Sequence, residues 1–309
     1  MKKIKVSLVL LLAVAASACS KMGTPVQSDD ADVIRLTITM DETRVSLTDG
    51  NKLQWDGTET IGVLIGNSSS NSEDLSTSLV VPLATLTGYP GVFSGDINLG
   101  KFTASDIRGI VYPYDPARSW VRNNSGIRLV MQVGKSAQTQ SLNGVLDSRN
   151  TPLFAAVGID DFTPRGGNEY RLEGQTLSWG CSLLKFNIVG KKPSTSDDEY
   201  VKSVTLTGSV KGIAGTAEWK IAQNSFAFNA TIADPITVNI EEQCPLSAAS
   251  EQSPVSIYMA TLPRSDSKPT LVKIRVTTDR AVYEKSLSYS TYLNPGTIQP
   301  INLDISTFD

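Results

Sequence analysis

Histidine is absent from all 309 residues. That removes Ser-His-Asp and Cys-His nucleophile systems, histidine-ligated zinc and imidazole acid–base chemistry. Serine–lysine pairs and carboxylates are what remain. Two SxxK spacings occur, Ser182–Lys185 and Ser265–Lys268. Serine–lysine catalysis works from a helix start, where the two side chains stand one turn apart on one face. Ser182 and Lys185 instead lie in a strand pattern, which sends residues three apart to opposite faces. Ser265 and Lys268 lie in a Pro-flanked turn, and the companion SDN and KTG motifs are missing. Gly134-Lys135-Ser136 has the end of a phosphate loop, but Leu129 occupies the position of the earlier glycine, so the backbone nest cannot form. Acidic clusters at Asp29-Asp30-Asp32, Asp160-Asp161 and Asp197-Asp198-Glu199 lack the alternating pattern of a calcium loop and read as solvated loops. A hydrolase with paired carboxylates is a disfavoured reading, since the two groups would have to meet in space. The expectation is no catalytic site, no metal and no cofactor.

Binding chemistry has two candidate sources. After Cys19 only Cys181 and Cys244 remain, with no CxxC spacing, so a thiolate metal site is not expected. A disulfide between them and two separate small buried residues stand as equal alternatives. Trp55, Trp120, Trp179 and Trp219 could stack on sugars, although tryptophan in sandwiches is more often core. Trp120, set among Arg118, Ser119, Arg122 and Asn123, is the candidate ligand-stacking ring. On that basis the alternative reading of the chain is a surface glycan-binding lipoprotein.

The elements that would carry these residues are strands. Ile34, Leu36, Ile38 and Met40 alternate with Arg35, Thr37, Thr39 and Asp41, the period of two that marks a strand with one buried face. The same alternation runs through 127–133 and 272–276. Shorter β-rich runs cover 61–65, 79–86, 107–114, 153–157, 183–189, 201–206, 236–240, 255–262 and 301–305. Turn residues punctuate them at Asp49-Gly50, Tyr89-Pro90-Gly91, Arg165-Gly166-Gly167 and Asn294-Pro295-Gly296. No window has sustained helical spacing. Many short strands at close spacing predict an all-β protein of antiparallel β-sandwiches. Polar, Pro and Gly residues cluster at 160–169, which predicts an N-terminal domain over 33–165 and a C-terminal domain over 166–309. The polar stretch 191–199 reads as a long hairpin loop within the second domain, and the Ser- and Asn-rich stretch 67–78 as another loop.

The N-terminus carries an address. Lys2, Lys3 and Lys5 precede an apolar run over 6–16, and Ser17-Ala18-Cys19 follows. A basic region, a short apolar region and small residues are the parts of a secretory signal, here 1–18. The apolar run is far short of the ~20 residues that span a bilayer. The cysteine after the small residues resembles a bacterial lipoprotein signal, in which cleavage precedes a cysteine that receives acyl chains such as palmitate. Cys19 is therefore the expected lipidation site, and 19–32 reads as a lipidated tether. Losing 1–18 removes three lysines and no acid, which leaves 25 basic and 31 acidic residues, net −6. Such a chain has no electrostatic reason to bind nucleic acid.

Several segments together resemble the fimbrillin family, the lipoprotein-derived type V pilus subunits of Bacteroidota. They are Thr43-Arg44-Val45-Ser46-Leu47 followed by Asp49-Gly50, Leu53-Gln54-Trp55 and Ile61-Gly62-Val63, then Tyr112-Pro113-Tyr114. Leu183-Leu184-Lys185-Phe186-Asn187-Ile188, Val204-Thr205-Leu206 with Ile213-Ala214-Gly215, Tyr258-Met259-Ala260-Thr261-Leu262-Pro263 and Leu293-Asn294-Pro295-Gly296 continue the order. The resemblance implies two transthyretin-like antiparallel β-sandwich domains in tandem, a place in the outer membrane or pilus, and possible adhesion to host or bacterial surface receptors. It also implies joining to other pilus subunits by β-strand donation. In the family a trypsin-like protease removes the first strand, and the open groove takes a strand from the next subunit. Here 34–40 suits the removable piece, and Arg35 and Arg44 are the candidate maturation sites, with the equal alternative that both are ordinary strand residues. Only thirteen residues follow Gly296, and 301–305 reads as the last native strand, which leaves anchor, accessory, tip and stalk roles open.

Overall fold

The structure, a computed structural model, describes residues 33–40, 55, 58–66, 79–88, 91–115, 119–123, 126–141, 146–190, 199–208, 212–220, 225–230, 235–246, 254–264 and 268–308. Among these residues the regular structure is strands and a few one-turn 3₁₀ segments. The first half contributes β1 (Val33–Met40), β2 (Thr60–Ile65), β3 (Leu79–Gly88), β4 (Gly91–Asn98), β5 (Ile107–Tyr112), β6 (Ser119–Asn123), β7 (Gly126–Val133), β8 (Ala137–Gln140), β9 (Leu153–Ala156) and β10 (Thr163–Gly166). Then come β11 (Glu169–Gln175), β12 (Ser178–Trp179), β13 (Ser182–Val189), β14 (Tyr200–Gly208), β15 (Gly215–Lys220), β16 (Ser225–Ala230), β17 (Ile236–Pro245), β18 (Val255–Thr261), β19 (Thr270–Thr278), β20 (Val282–Ser290) and β21 (Ile298–Asp304).

They form four sheets, ordered β10-β11-β1-β4-β3-β2-β5-β9-β12, β16-β15-β7-β6, β20-β19-β14-β17-β8 and β18-β13-β21. In the nine-stranded sheet, Trp55 meets Phe93 of β4 at 5.0 Å and Tyr112 of β5 at 5.1 Å, both edge-on. Strand β3 links those two parts of the sheet, pairing with β2 through Leu79–Ala84 and with β4 through Thr85–Gly88, and the Trp55 indole packs against a ring from each part. The four-stranded sheet packs against the β5–β9 part of this sheet. Trp219 of β15 lies 5.2 Å from Phe154 of β9, and a Cβ on Gly109 of β5 would stand 2.6 Å from the same indole. The buried apolar side chains form one continuous core.

The expected division at 165/166 falls inside the β10–β11 hairpin, and both strands of that hairpin join the sheet of β1. Pairing crosses the division elsewhere too. Strand β7 pairs with β15, and β8 lies parallel to β17. Composition marks where the chain turns, not which sheet receives a strand, so a Pro/Gly cluster at a hairpin tip passes for a linker. The stretch 191–199 is corrected as well. Residues 191–198 lie outside the described residues, but β13 and β14 on either side sit in different sheets and do not pair with each other as a hairpin would.

The five- and three-stranded sheets are stitched at one side by side chains. Gln138 of β8 donates to the Ala260 carbonyl at 2.7 Å and accepts from the Ala260 N–H at 2.9 Å. Gln140 does the same for β18 two residues on, donating to the Ser256 carbonyl at 3.0 Å and accepting from the Tyr258 N–H at 2.6 Å. The two amides stand in for a missing neighbour strand, which is why both glutamines can be buried. The chain reaches this corner through Gly134, at φ +64°, where a Cβ would press on the Ile213 carbonyl at 2.6 Å.

Candidate functional site: the slot filled by the first strand

The alternating pattern of 34–40 is realised as β1. Ile34, Leu36, Ile38 and Met40 are buried, and Arg35 between them is exposed. β1 is an interior strand. It pairs with β4 antiparallel along its whole length, from Val33 opposite Asn98 to Met40 opposite Gly91. On its other side it runs parallel to β11, from Arg35 opposite Glu169 to Met40 opposite Gln175, with an irregularity between Ile38 and Met40. Both flanking strands are far away in sequence, so the segment is held entirely by long-range contacts.

The slot has an apolar floor and a polar rim. Phe93, Ile97 and Leu172 from the flanking strands belong to the same core as the four buried side chains of β1. Outside, the Thr37 and Ser94 hydroxyls share a hydrogen bond of 2.9 Å, and Arg35 pairs with Asp96 at 3.2 Å. Asn168 fastens the start, donating through Nδ2 to the Val33 carbonyl at 3.1 Å while its own carbonyl accepts from the Arg35 N–H at 2.9 Å. The far end is tight: a Cβ on Gly91 would stand 2.5 Å from the Trp55 ring. Burying four aliphatic or methionine side chains contributes about 1.5–3 kcal/mol each, about 6–12 kcal/mol in sum. That rivals the whole stability of a typical domain, about 5–15 kcal/mol, so a slot emptied of β1 has to be refilled.

The other candidate residues are scattered. Arg35 sits mid-ladder; a protease cutting after it would have to open both ladders, and would leave 36–40 in the sheet. Cys19, Arg44, Ser265, Asp29, Asp30, Asp32, Asp197 and Asp198 lie outside the described residues. Trp120 lies on β6 opposite Leu129, and its side chain is likewise outside the description. Trp55 and Trp219 are core rings. Ser182 is buried with its hydroxyl toward the Thr297 carbonyl, while Lys185 lies over the Tyr258 ring at 5.5 Å, so the two do not meet. Cys181 and Cys244 are buried and unbonded to each other, and burial pushes both thiols up from their ordinary pKa. Asp161 accepts from the Gly158 N–H at 2.7 Å as a turn cap. Among the described residues no group of three His, Cys, Asp or Glu side chains could hold a metal, and no helix is long and apolar enough to cross a membrane.

Glu199 departs from its expected solvated place: it is 2 % exposed and accepts from the Tyr283 hydroxyl at 2.8 and 3.0 Å. Thr278 also donates to it. Burial, then the Glu199 hydrogen bond and charge, push the Tyr283 phenol up to about 12. The walls of the slot, β4 and β11, were not among the strands picked out by sequence. The alternation of Phe93 and Ile97 with Ser94 and Asp96 carries a signal, weakened by Gly91 and Gly95.

No family model matches the chain, and no curated protein matches it. Solved structures do. One is a "putative cell adhesion protein" from Bacteroides ovatus, with 13% identity and a TM-score of 0.50 over 89% of this chain and 94% of that one. Another, with the same description, is from Bacteroides uniformis, with 10% identity and a TM-score of 0.50 over 92% of this chain and 96% of that one. At such identities the likeness speaks to the fold alone, and it places this chain's all-β architecture beside that of these Bacteroides neighbours.

Proposed function

We propose that the chain is a fimbrillin-like cell-surface lipoprotein, a non-catalytic structural and adhesive subunit whose precursor is held in the outer membrane by lipid on Cys19 and which, once cut after Arg44, joins other pilus subunits by strand exchange. One observation carries this reading. The first described segment of the chain is an interior strand with four buried side chains, flanked on both sides by strands that belong to distant parts of the chain. Such a strand can be withdrawn without breaking any later connection, and its loss exposes two ladders over an open core. A donated strand restores both. Because one flank is antiparallel and the other parallel, a strand entering in either direction gains one antiparallel ladder.

Arg44 fits the release step better than Arg35. It lies four residues beyond the last paired residue of β1, whereas the bond after Arg35 is locked between two ladders. The test is limited trypsin digestion of the full chain, followed by mass spectrometry of the new N-terminus and electron microscopy. The reading predicts a terminus at Val45, loss of 33–40 and growth of filaments. A chain that loses 33–40 and stays monomeric and folded contradicts it.

A further inference from the structure

The eight edges of the four described sheets are not protected alike. β10 carries Pro164 and Arg165 and β12 is two residues long. β21 has Pro300 as its third residue, and β18 is covered by the Gln138 and Gln140 amides. β20 carries Glu284 and Lys285, and β6 carries Arg122. β8 is backed by the bridge from Gln140 to Leu146 and by the Asp147 N–H bonded to the Thr139 carbonyl at 3.0 Å. Brevity, proline, charge and cover are the ordinary means of keeping an edge from pairing. β16, Ser225-Phe226-Ala227-Phe228-Asn229-Ala230, has no charge, no proline and no glycine over six residues, the composition that favours strand-on-strand stacking, and no described strand pairs with its outer side.

We propose that β16 is a homodimer edge, pairing antiparallel with β16 of a second copy about a two-fold axis through Ala227. The neutral composition points to a second copy rather than a charged partner strand, because self-pairing then opposes no like charges. Antiparallel self-pairing about a two-fold puts residues opposite each other only when their numbers sum to an even value, so the phenylalanines of the two copies share one face. Centring on Ala227 places Phe226 opposite Phe228 twice, whereas centring on Phe228 gives one aromatic pair. Phe226 and Phe228 already stack at 5.8 Å and 11°, and Phe226 meets Phe154 at 5.3 Å, so the dimer joins two existing aromatic clusters into one. Two four-stranded sheets become one continuous sheet of eight. This association needs no proteolysis and leaves β1 in place, so its success or failure is separate from that of strand exchange.

The test is disulfide trapping in the unprocessed full chain. With Ala227→Cys, the two thiols meet across the axis at strand-pair distance, within reach of a disulfide. Ala227→Cys is expected to give a covalent dimer on a non-reducing gel, Ala230→Cys none, and a mixture of Ser225→Cys with Asn229→Cys a mixed dimer. Wild-type chain is expected to sediment as a dimer whose dissociation does not respond to salt. Folded chains that fail to cross-link at both Ala227 and the 225/229 pair overturn the proposal. So does cross-linking through Ala230→Cys as strong as through Ala227→Cys, which would report random collision.

Discussion

β1 and β21 are the first and last strands of the described chain, and each runs parallel to a strand of distant sequence. There the likeness ends. β1 has ladders on both sides and four buried side chains. β21 has one ladder, to β13; Ile298 and Ile301 are half-buried and Leu303 is buried. In its parallel register, with the Leu183 N–H bonded to the Thr297 carbonyl at 2.9 Å, residue 300 faces away from β13, and that residue is proline. A strand there has no outward N–H at its third residue and recruits a neighbour poorly. The two positions teach that exchange depends on what a departing strand leaves behind. β1 leaves a slot with two unpaired flanks, and β21 leaves one edge.

The largest effect separating them is in the core. Leu36→Ala or Ile38→Ala is expected to cost about 2–5 kcal/mol in urea unfolding, whereas Ile301→Ala, half-exposed, costs less than half as much. Equal losses at both ends would erase the distinction. Next, Gln138→Leu leaves the N–H and carbonyl of Ala260 unpaired and is expected to cost about 1–3 kcal/mol per orphaned group, without changing release of β1. Gly91→Ala narrows the far end of the slot against Trp55; overpacking of about 1–3 kcal/mol should loosen the Met40 end of β1 first, visible as faster amide exchange at 38–40 than at 34–36. The smallest effect is expected at Arg35→Ala. Its pairing with Asp96 is between two exposed groups and is worth at most about 1 kcal/mol. A large loss there would mean that charge, not burial, holds β1.

Alkaline pH acts away from the slot and serves as its control. Tyr283 has its pKa raised from 10.0 to about 12, so the stability it contributes is complete below its unfolded value and is lost as pH rises through the folded one. Wild-type stability should therefore fall between those values. Tyr283→Phe should lack that component, and loss of β1 should be unaffected by it.

The strand of the slot was legible in the sequence because its period of two is unbroken over eight residues. The walls were not. β4 interrupts its pattern with Gly91 and Gly95, and β11 reads Glu-Tyr-Arg-Leu-Glu-Gly-Gln with Leu172 as its one deeply buried side chain. Edge strands such as β16 and β20 also escaped. They bury too little on one face to alternate cleanly, so tertiary pairing fixes what their composition leaves open. Glu199 was misplaced for a related reason. A polar run predicts exposure on average, and a single carboxylate can be buried wherever a tyrosine and a threonine donate to it.

The central claim is that β1 is an exchangeable strand, and uptake of a replacement tests it most directly. The full chain is cut with trypsin, the protease is inhibited and removed, and the product is incubated with a labelled peptide of sequence Val33 to Met40. The account predicts that the cut chain gives up its own segment and takes up one labelled peptide per molecule, recovering its unfolding midpoint. A cut chain that keeps its own β1 indefinitely, or releases it and takes up no peptide while remaining folded, would contradict the account.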